Sequence, residues 1–132
     1  MNVNLYDNEK AIVAADRGHS DNLEQYMVAS SIPFEKCVGG YTMAYGEVVE
    51  EPSFLIDMKN FLRIVTSGFC RYQESFLVLK EQDHHGHRYA ELVYTRNMAQ
   101  EIIGKYQHVS EEVARASVGW TRTADGRYFT AR

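Results

Sequence analysis

Residues 39–79 read GGYTMAYGEVVEEPSFLIDMKNFLRIVTSGFCRYQESFLVL and organise the rest of the chain. The stretch begins with paired glycines, passes through an amphipathic segment and ends in an apolar run. Its first part places Glu47, Glu50 and Glu51 directly before Ser53 and Phe54. A polar cluster at the start of an apolar strand is typical of a turn that enters a sheet, and it is also a place where a small ligand could be held. From these residues alone the turn is the commoner explanation.

The composition predicts a single domain over residues 1–132. Of the 132 residues, 45% are hydrophobic, including nine Tyr and six Phe, so the chain can bury a core. The net charge of −4, with interspersed signs, argues against a nucleic-acid partner. No segment reaches the ~20 apolar residues of a membrane span, and the N-terminus lacks a signal-peptide pattern. We therefore expect a soluble, cytoplasmic protein with no membrane partner. Cys37 and Cys70 have no CxxC spacing and are predicted to be free thiols.

Several segments have helical features. The capping-box spacing of Asp21 and Glu24 predicts a helix over residues 21–31, which ends before Pro33 because the residue before proline is pushed out of the helical region. An apolar stripe after Asp57 predicts a second helix that docks on a sheet. Further helices are predicted from apolar composition or spacing in residues 11–15, 97–106 and 110–117.

Strand features lie between these segments. Residues 33–40 are interpreted as a connection, and a strand or an ordered loop is predicted for residues 41–49. Strands are predicted at residues 53–56, 76–79 and 88–94, the last two as a hairpin, and an Asp-Gly turn predicts a second hairpin over residues 119–130. The fold class predicted from these elements is α+β, with a small antiparallel or mixed sheet and two to four helices.

The cluster of His84, His85 and His87 with Asp83 contains residue types that bind metals. These residues lie on a Gly-containing turn without the distant partner and rigid spacing of defined zinc or copper sites, so a solvated hairpin tip is favoured and no metal is predicted. The sequence also lacks the GxSxG, GxGxxG and GxxxxGK[ST] patterns. Their absence argues against a nucleophile-elbow hydrolase, a dinucleotide fold and a P-loop.

Glu50 and Glu51 have two interpretations. They are either solvated acids at the start of a strand, or one of them is a binding group. A carboxylate held beside Tyr41 and a hydrophobic strand would suit a small cationic ligand, whose charge it would balance while aromatic faces cover the rest. The residues alone do not decide between the two.

The order of the motifs resembles one family. The series GGY, EEPSFLI, an apolar-periodic helix, YQESFLVL, YAELVY and GWTRTADGRYFT is similar to that of the bacteriophage S-adenosylmethionine-degrading enzymes, called SAM hydrolases or SAM lyases. The similarity covers residues 39–95 and, more weakly, 117–131. It implies a small ferredoxin-like α+β protein that forms a homotrimer like the trimeric nitrogen-regulatory (PII-like) signalling proteins. The substrate would lie between subunits, and no cofactor is implied.

The resemblance also implies site residues. The family's essential glutamate corresponds to Glu51 and its active-site tyrosine to Tyr41, with Glu50 and Tyr45 as alternatives in the same segment. The predicted substrate-binding residues are Glu50, Ser53, Phe54, Gln73 and Glu74.

The implied reaction is cleavage of S-adenosylmethionine to methylthioadenosine and homoserine or its lactone, which in a phage depletes the methyl donor of host restriction–modification. Attack by the substrate's own carboxylate on Cγ closes a five-membered lactone, and fixed intramolecular geometry can contribute about 7–11 kcal/mol. We therefore favour the lyase route, with Glu51 orienting the ammonium group and the Tyr41 hydroxyl as a second anchor. The alternatives are hydrolysis with Glu51 as general base, and a non-enzymatic module that binds a small ligand or a host protein.

Overall fold

The computed structural model describes residues 8–81, 84–85 and 87–131. Its strands are β1 (Lys10–Val13), β2 (Phe34–Thr42), β3 (Val48–Asp57), β4 (Ser75–Leu79), β5 (Tyr89–Tyr94), β6 (Gln100–Val109), β7 (Gly119–Thr123) and β8 (Tyr128–Ala131). Its helices are α1 (Ser20–Ala29), α2 (Phe61–Val65) and α3 (Glu111–Arg115), and a 3-10 turn over Met58–Asn60 leads into α2.

The strands close into an eight-stranded antiparallel barrel. Their order around the barrel is β1-β3-β2-β7-β8-β6-β5-β4, and β1 closes it by pairing with both β3 and β4. The predicted ferredoxin-like α+β fold is therefore wrong. A ferredoxin-like fold needs an open sheet with helices along one face, whereas closure gives each strand two neighbours and leaves the short helices as covers on the outside.

Side chains alternate along the strands between two apolar clusters, because successive residues of a strand point to opposite faces. The outer cluster packs the barrel wall against α1 and α2, and its buried members include Ala11, Val13, Phe54, Ile56, Phe76, Leu23, Met27, Phe61 and Ile64. The inner cluster fills part of the barrel interior, with Ile12, Leu55, Leu79, Ala90 and Phe129 among its members. The helices thus stabilise the barrel from outside and leave the interior to the strands.

Several local predictions are confirmed. Helix α1 matches the prediction for residues 21–31 to within two residues at its end, and α3 lies inside the predicted segment 110–117. Strands β4 and β5 pair as predicted, and β7 and β8 form the second predicted hairpin, with Gly126 at φ 86° in its turn. The helix predicted after Asp57 is present but short, since α2 ends at Val65.

Three local predictions are wrong. Residues 11–15 and 97–106 were expected to be helical but contribute to β1 and β6, and the connection expected at residues 33–40 forms most of β2. In β6 the pairing with β5 shifts by one residue, because Ala90 faces Gly104 while Glu91 faces Ile102. The bulge interrupts the two-residue alternation, so the apolar spacing of this strand imitates a helix.

None of the helices in the described part of the chain combines the length and the apolar character that crossing a membrane requires.

Candidate active site

One end of the barrel contains a cavity of about 820 Å³. It lies where β1, β2 and β8 end and where β4 and β7 begin. Its volume falls in the range of roughly 300–1,000 Å³ that is usual for small-molecule sites. The inner cluster packs behind it, with Ile12 and Phe129 belonging to both.

The predicted catalytic residues meet in the wall formed by β2 and β3. Glu51 and Ser53 are two residues apart in β3, so their side chains share a face, and both line the cavity. Tyr41 lines it from the end of β2. The β2–β3 register places Gly39 opposite Glu51, which leaves the glutamate beside a residue without a side chain.

The side chain of Glu51 is partly buried. Burial raises its pKa, and among the described residues no cation or hydrogen-bond donor contacts it to oppose that shift. The pKa of the Tyr41 phenol is also raised, first by burial, then by the charge of Glu51 and then by Tyr45. The phenol therefore keeps its proton at neutral pH and can donate a hydrogen bond.

The charge of the cavity wall is negative. Its lining contains two carboxylates, those of Glu51 and Glu74. The described residues that line the cavity include no Lys, Arg or His. An acidic cavity with no basic side chain to neutralise it attracts a cation and disfavours phosphate or carboxylate groups near the acids. The negative charge of the cavity wall by itself therefore favours a positively charged ligand.

Gln73 and Glu74 line the cavity from the segment that leads into β4. The Gln73 side-chain amide donates to the carbonyl oxygen of Ala15 at 3.2 Å, and the Thr95 hydroxyl donates to the Gln73 carbonyl oxygen at 2.6 Å. Gln73 thus ties this segment to its neighbours, while the Glu74 side chain is exposed. The substrate contacts predicted for both stay predictions.

Glu50 and Phe54 are not among the residues that line the cavity. Glu50 accepts a hydrogen bond from the Arg122 guanidinium at 3.3 Å, and its side chain is 44% exposed. Phe54 belongs to the outer cluster and packs edge-on against Phe34, with ring centroids 5.6 Å apart. Their role in substrate binding stays a prediction, and from these positions it would act through neighbouring residues.

Much of the remaining wall comes from residues that no sequence pattern singles out. These residues include Tyr72, Tyr106, Trp120, Thr121 and Thr130. Trp120 faces Gly40 across the β2–β7 pairing, and a Cβ on Gly40 would lie 2.3 Å from the indole ring. A glycine inside a strand is a signal of close approach by another group. The glycine pair could have suggested such a contact, but no local pattern identifies β7 as the partner.

The histidine tip, formed by His84, His85 and His87, is separate from this cavity, since none of the three lines it. The rings of His84 and His85 lie 3.9 Å apart between centroids and those of His85 and His87 6.1 Å apart, and Asp83 lies outside the described residues. Within the described ranges no group of three or more His, Cys, Asp or Glu side chains is placed to hold a metal ion.

Comparison with known proteins identifies a family. The family model described as the S-adenosylmethionine lyase family matches residues 8–132. Comparisons with curated proteins and with solved structures gave no match. The matched region contains every strand of the barrel and the whole acidic cavity, whose charge suits a sulfonium substrate. The chain therefore belongs to the S-adenosylmethionine lyase family and is an enzyme that cleaves S-adenosylmethionine.

Proposed function

We propose that the enzyme converts S-adenosylmethionine to methylthioadenosine and homoserine lactone by attack of the substrate's own carboxylate. We further infer, from the resemblance to phage enzymes alone, that it acts in the cytoplasm of a bacterial host and depletes the methyl donor of restriction–modification. The observation that carries the chemical part is the partly buried Glu51 carboxylate, which has no partner among the described residues and faces an acidic cavity. Such a group is suited to hold the one primary ammonium of the substrate.

Glu51 acts on the ammonium group because its charge would hinder reaction at the sulfur. The positive charge of the sulfonium disappears as the carbon–sulfur bond breaks, so a carboxylate against sulfur would stabilise the substrate more than the transition state. The ammonium keeps its charge throughout, and binding it costs nothing at the reacting centre. Binding it also favours the ionised form of Glu51, since a nearby cation lowers the pKa that burial raises.

The bonds and charges of this route balance without a further reactant. One carboxylate oxygen of the substrate forms a bond to Cγ, the Cγ–S bond breaks, and its electron pair stays on sulfur. Methylthioadenosine leaves as a neutral thioether and needs no proton. The lactone keeps the ammonium charge. The protein then has to fold the amino-acid chain so that the carboxylate approaches Cγ opposite sulfur, with Tyr41 as a hydrogen-bond donor near Glu51.

Hydrolysis is the second candidate, and the raised pKa of Glu51 is the observation that favours it. A more basic carboxylate is a better general base for a water molecule. In that case Glu51 would take a proton from the water as its oxygen bonds to Cγ, the Cγ–S bond would break with its electron pair left on sulfur, and homoserine would form directly. The lyase route needs no ordered water and no proton transfer, which is why we favour it.

Reaction in ¹⁸O-labelled water distinguishes the two routes. If the lactone forms first and then opens at its acyl carbon, we expect the label in the carboxylate of homoserine and none in its γ-hydroxyl. Mass spectrometry of fragments that separate the two ends of homoserine measures this. Label in the γ-hydroxyl would show that water attacked Cγ and would contradict the lyase route.

We also propose that the enzyme is a homotrimer with substrate bound near subunit contacts. Exposed apolar side chains lie around the cavity, with Tyr72 and Val118 each 79% exposed, and a second chain would cover them. We expect light scattering to give three chain masses for the wild type. Val118→Asp should lower the mass and reduce activity at least roughly tenfold, because one buried charge can prevent such contacts.

The matched control for this prediction is Leu62→Asp. Leu62 is 62% exposed on α2 and does not line the cavity. The Leu62→Asp variant should remain a trimer and keep most of the activity. A wild-type protein that is monomeric at the concentration of the assay and fully active would refute the trimer.

A further inference from the structure

The two adjacent glycines of β2 both line the cavity, and a Cβ on each would meet different neighbours. A Cβ on Gly40 would meet the Trp120 ring, whereas a Cβ on Gly39 would lie 3.0 Å from the Ser53 hydroxyl oxygen and 3.9 Å from Cγ of Glu51. Gly39 therefore borders the cavity beside the predicted binding carboxylate. Its φ is not positive, so its backbone conformation is open to other residues and does not by itself require glycine.

The space beside Gly39, which we call the notch, is bordered by two polar side chains. One side is Glu51, whose Cγ would lie 3.9 Å from a Cβ at position 39 and whose side chain is partly buried. The other side is the Ser53 hydroxyl, which belongs to a residue only 3% exposed and makes a long 3.4 Å contact to the Glu51 carbonyl oxygen. Hydroxyl hydrogen bonds usually have a donor–acceptor distance of about 2.8 Å, so the 3.4 Å contact is weak. The Ser53 hydroxyl can therefore form a stronger hydrogen bond to a ligand.

We propose that Gly39 is a positioning residue whose missing side chain keeps this notch open for the ammonium end of the substrate. The ammonium would donate to the Glu51 carboxylate and to the Ser53 hydroxyl oxygen together. A methyl group at Gly39 would occupy the space between these acceptors and push the amino-acid chain outward. The inference rests on the proposed role of Glu51 and adds Gly39 and Ser53 as the residues that shape its subsite.

The charge of the substrate ammonium predicts which kinetic constant depends on Gly39. Because the ammonium charge does not change during the reaction, contacts to it stabilise the bound substrate and the transition state alike. Losing such contacts raises KM more than it lowers kcat. The methylthioadenosine product has no amino-acid part, so its affinity should not depend on the notch at all.

The test is Gly39→Ala, with steady-state kinetics on S-adenosylmethionine and calorimetric binding of methylthioadenosine. We expect KM to rise roughly 10- to 100-fold, the range for losing a hydrogen bond to a charged group, with kcat changed less than KM. The dissociation constant of methylthioadenosine should stay within about twofold of the wild type. An unchanged KM, or an equal weakening of methylthioadenosine, would overturn the proposal, since the second result would mean a general distortion of the cavity.

The double variant Gly39→Ala/Ser53→Ala keeps the test decisive if the single variant folds poorly. Removing the Ser53 oxygen relieves the 3.0 Å contact while the added methyl group still occupies the notch. Its KM should exceed that of Ser53→Ala alone, and a KM equal to that of Ser53→Ala alone would contradict the proposal. Failure of the wild type itself to consume S-adenosylmethionine would instead refute the function on which this inference rests.

Discussion

Glu51→Gln is expected to lower kcat/KM for S-adenosylmethionine by about 10²–10³-fold while the protein remains folded. The substitution keeps the size of the side chain and removes the only charge that we assign to the ammonium group. Loss of one partner of a shielded charge pair costs about 2–5 kcal/mol, and the expected decrease lies within that range. Product formation is measured as methylthioadenosine by liquid chromatography at subsaturating substrate.

Glu50→Gln is the matched control, because it makes the same chemical change one residue earlier. Glu50 is paired with Arg122 outside the cavity lining, and an exposed pair of this kind contributes at most about 1 kcal/mol to stability. We expect a decrease in kcat/KM of less than tenfold. If Glu50→Gln abolishes turnover while Glu51→Gln retains it, the essential acid is Glu50 and our assignment is wrong.

The stability of Glu51→Gln provides an independent check that the variant is folded. Burial raises the Glu51 pKa, so ionisation is less favourable in the folded state than in the unfolded state. At a pH above both pKa values this difference lowers the free energy of unfolding. Below the ordinary glutamate pKa of about 4.3 the carboxyl is protonated in both states and the penalty disappears. The Tm of Glu51→Gln without substrate should therefore exceed that of the wild type at neutral pH, and the difference should shrink as the pH falls towards 4.

Among alanine substitutions at the glycines of β2 and β7, Gly40→Ala is expected to destabilise the fold most. The new Cβ would lie 2.3 Å from two carbon atoms of the Trp120 ring. Trp120 is 4% exposed and packs with Tyr128 at 5.3 Å and under the Arg115 guanidinium at 5.3 Å, so the ring has little room to move. Overpacking of this kind costs about 1–3 kcal/mol, which corresponds to a decrease in Tm of roughly 3–12 °C.

Gly119→Ala is the control for that prediction. Gly119 lies in β7 next to Trp120, and a Cβ there would meet only the Gly40 carbonyl oxygen, at an ordinary 3.7 Å. Its effect on Tm should be less than half that of Gly40→Ala. A double-mutant cycle with Trp120→Leu should show a smaller loss than the sum of the single changes, since leucine leaves room for the methyl group. Additive losses would mean that the clash with the ring is not the cause.

The sequence alone predicted those elements whose signals are local. The hairpin at Asp125–Gly126 is specified by turn residues within a few positions, and α1 by the apolar spacing of one short segment. The capping box predicted at Asp21 and Glu24 does not form, because the N-cap of α1 is His19, which makes no side-chain capping hydrogen bond. The prediction of β6 failed because its bulge at residues 102–104 disturbs the two-residue alternation, and nothing nearby reveals that β5 and β8 flank it. The ferredoxin-like expectation failed for a related reason, since the pairing of β1 with β4 that closes the barrel joins segments about 65 residues apart.

The sequence by itself determined the family and the acidic character of the segment around Glu51. Through the family resemblance it also predicted Tyr41 and Glu51 as site residues. Only the tertiary structure decided that Glu51 and Ser53 face the cavity while Glu50 and Phe54 are not part of its lining. The physical reason is that neighbouring residues of a strand point to opposite faces, and which face is the inside depends on how the sheet closes. Closure is set by pairings between distant strands, and local sequence patterns do not record them.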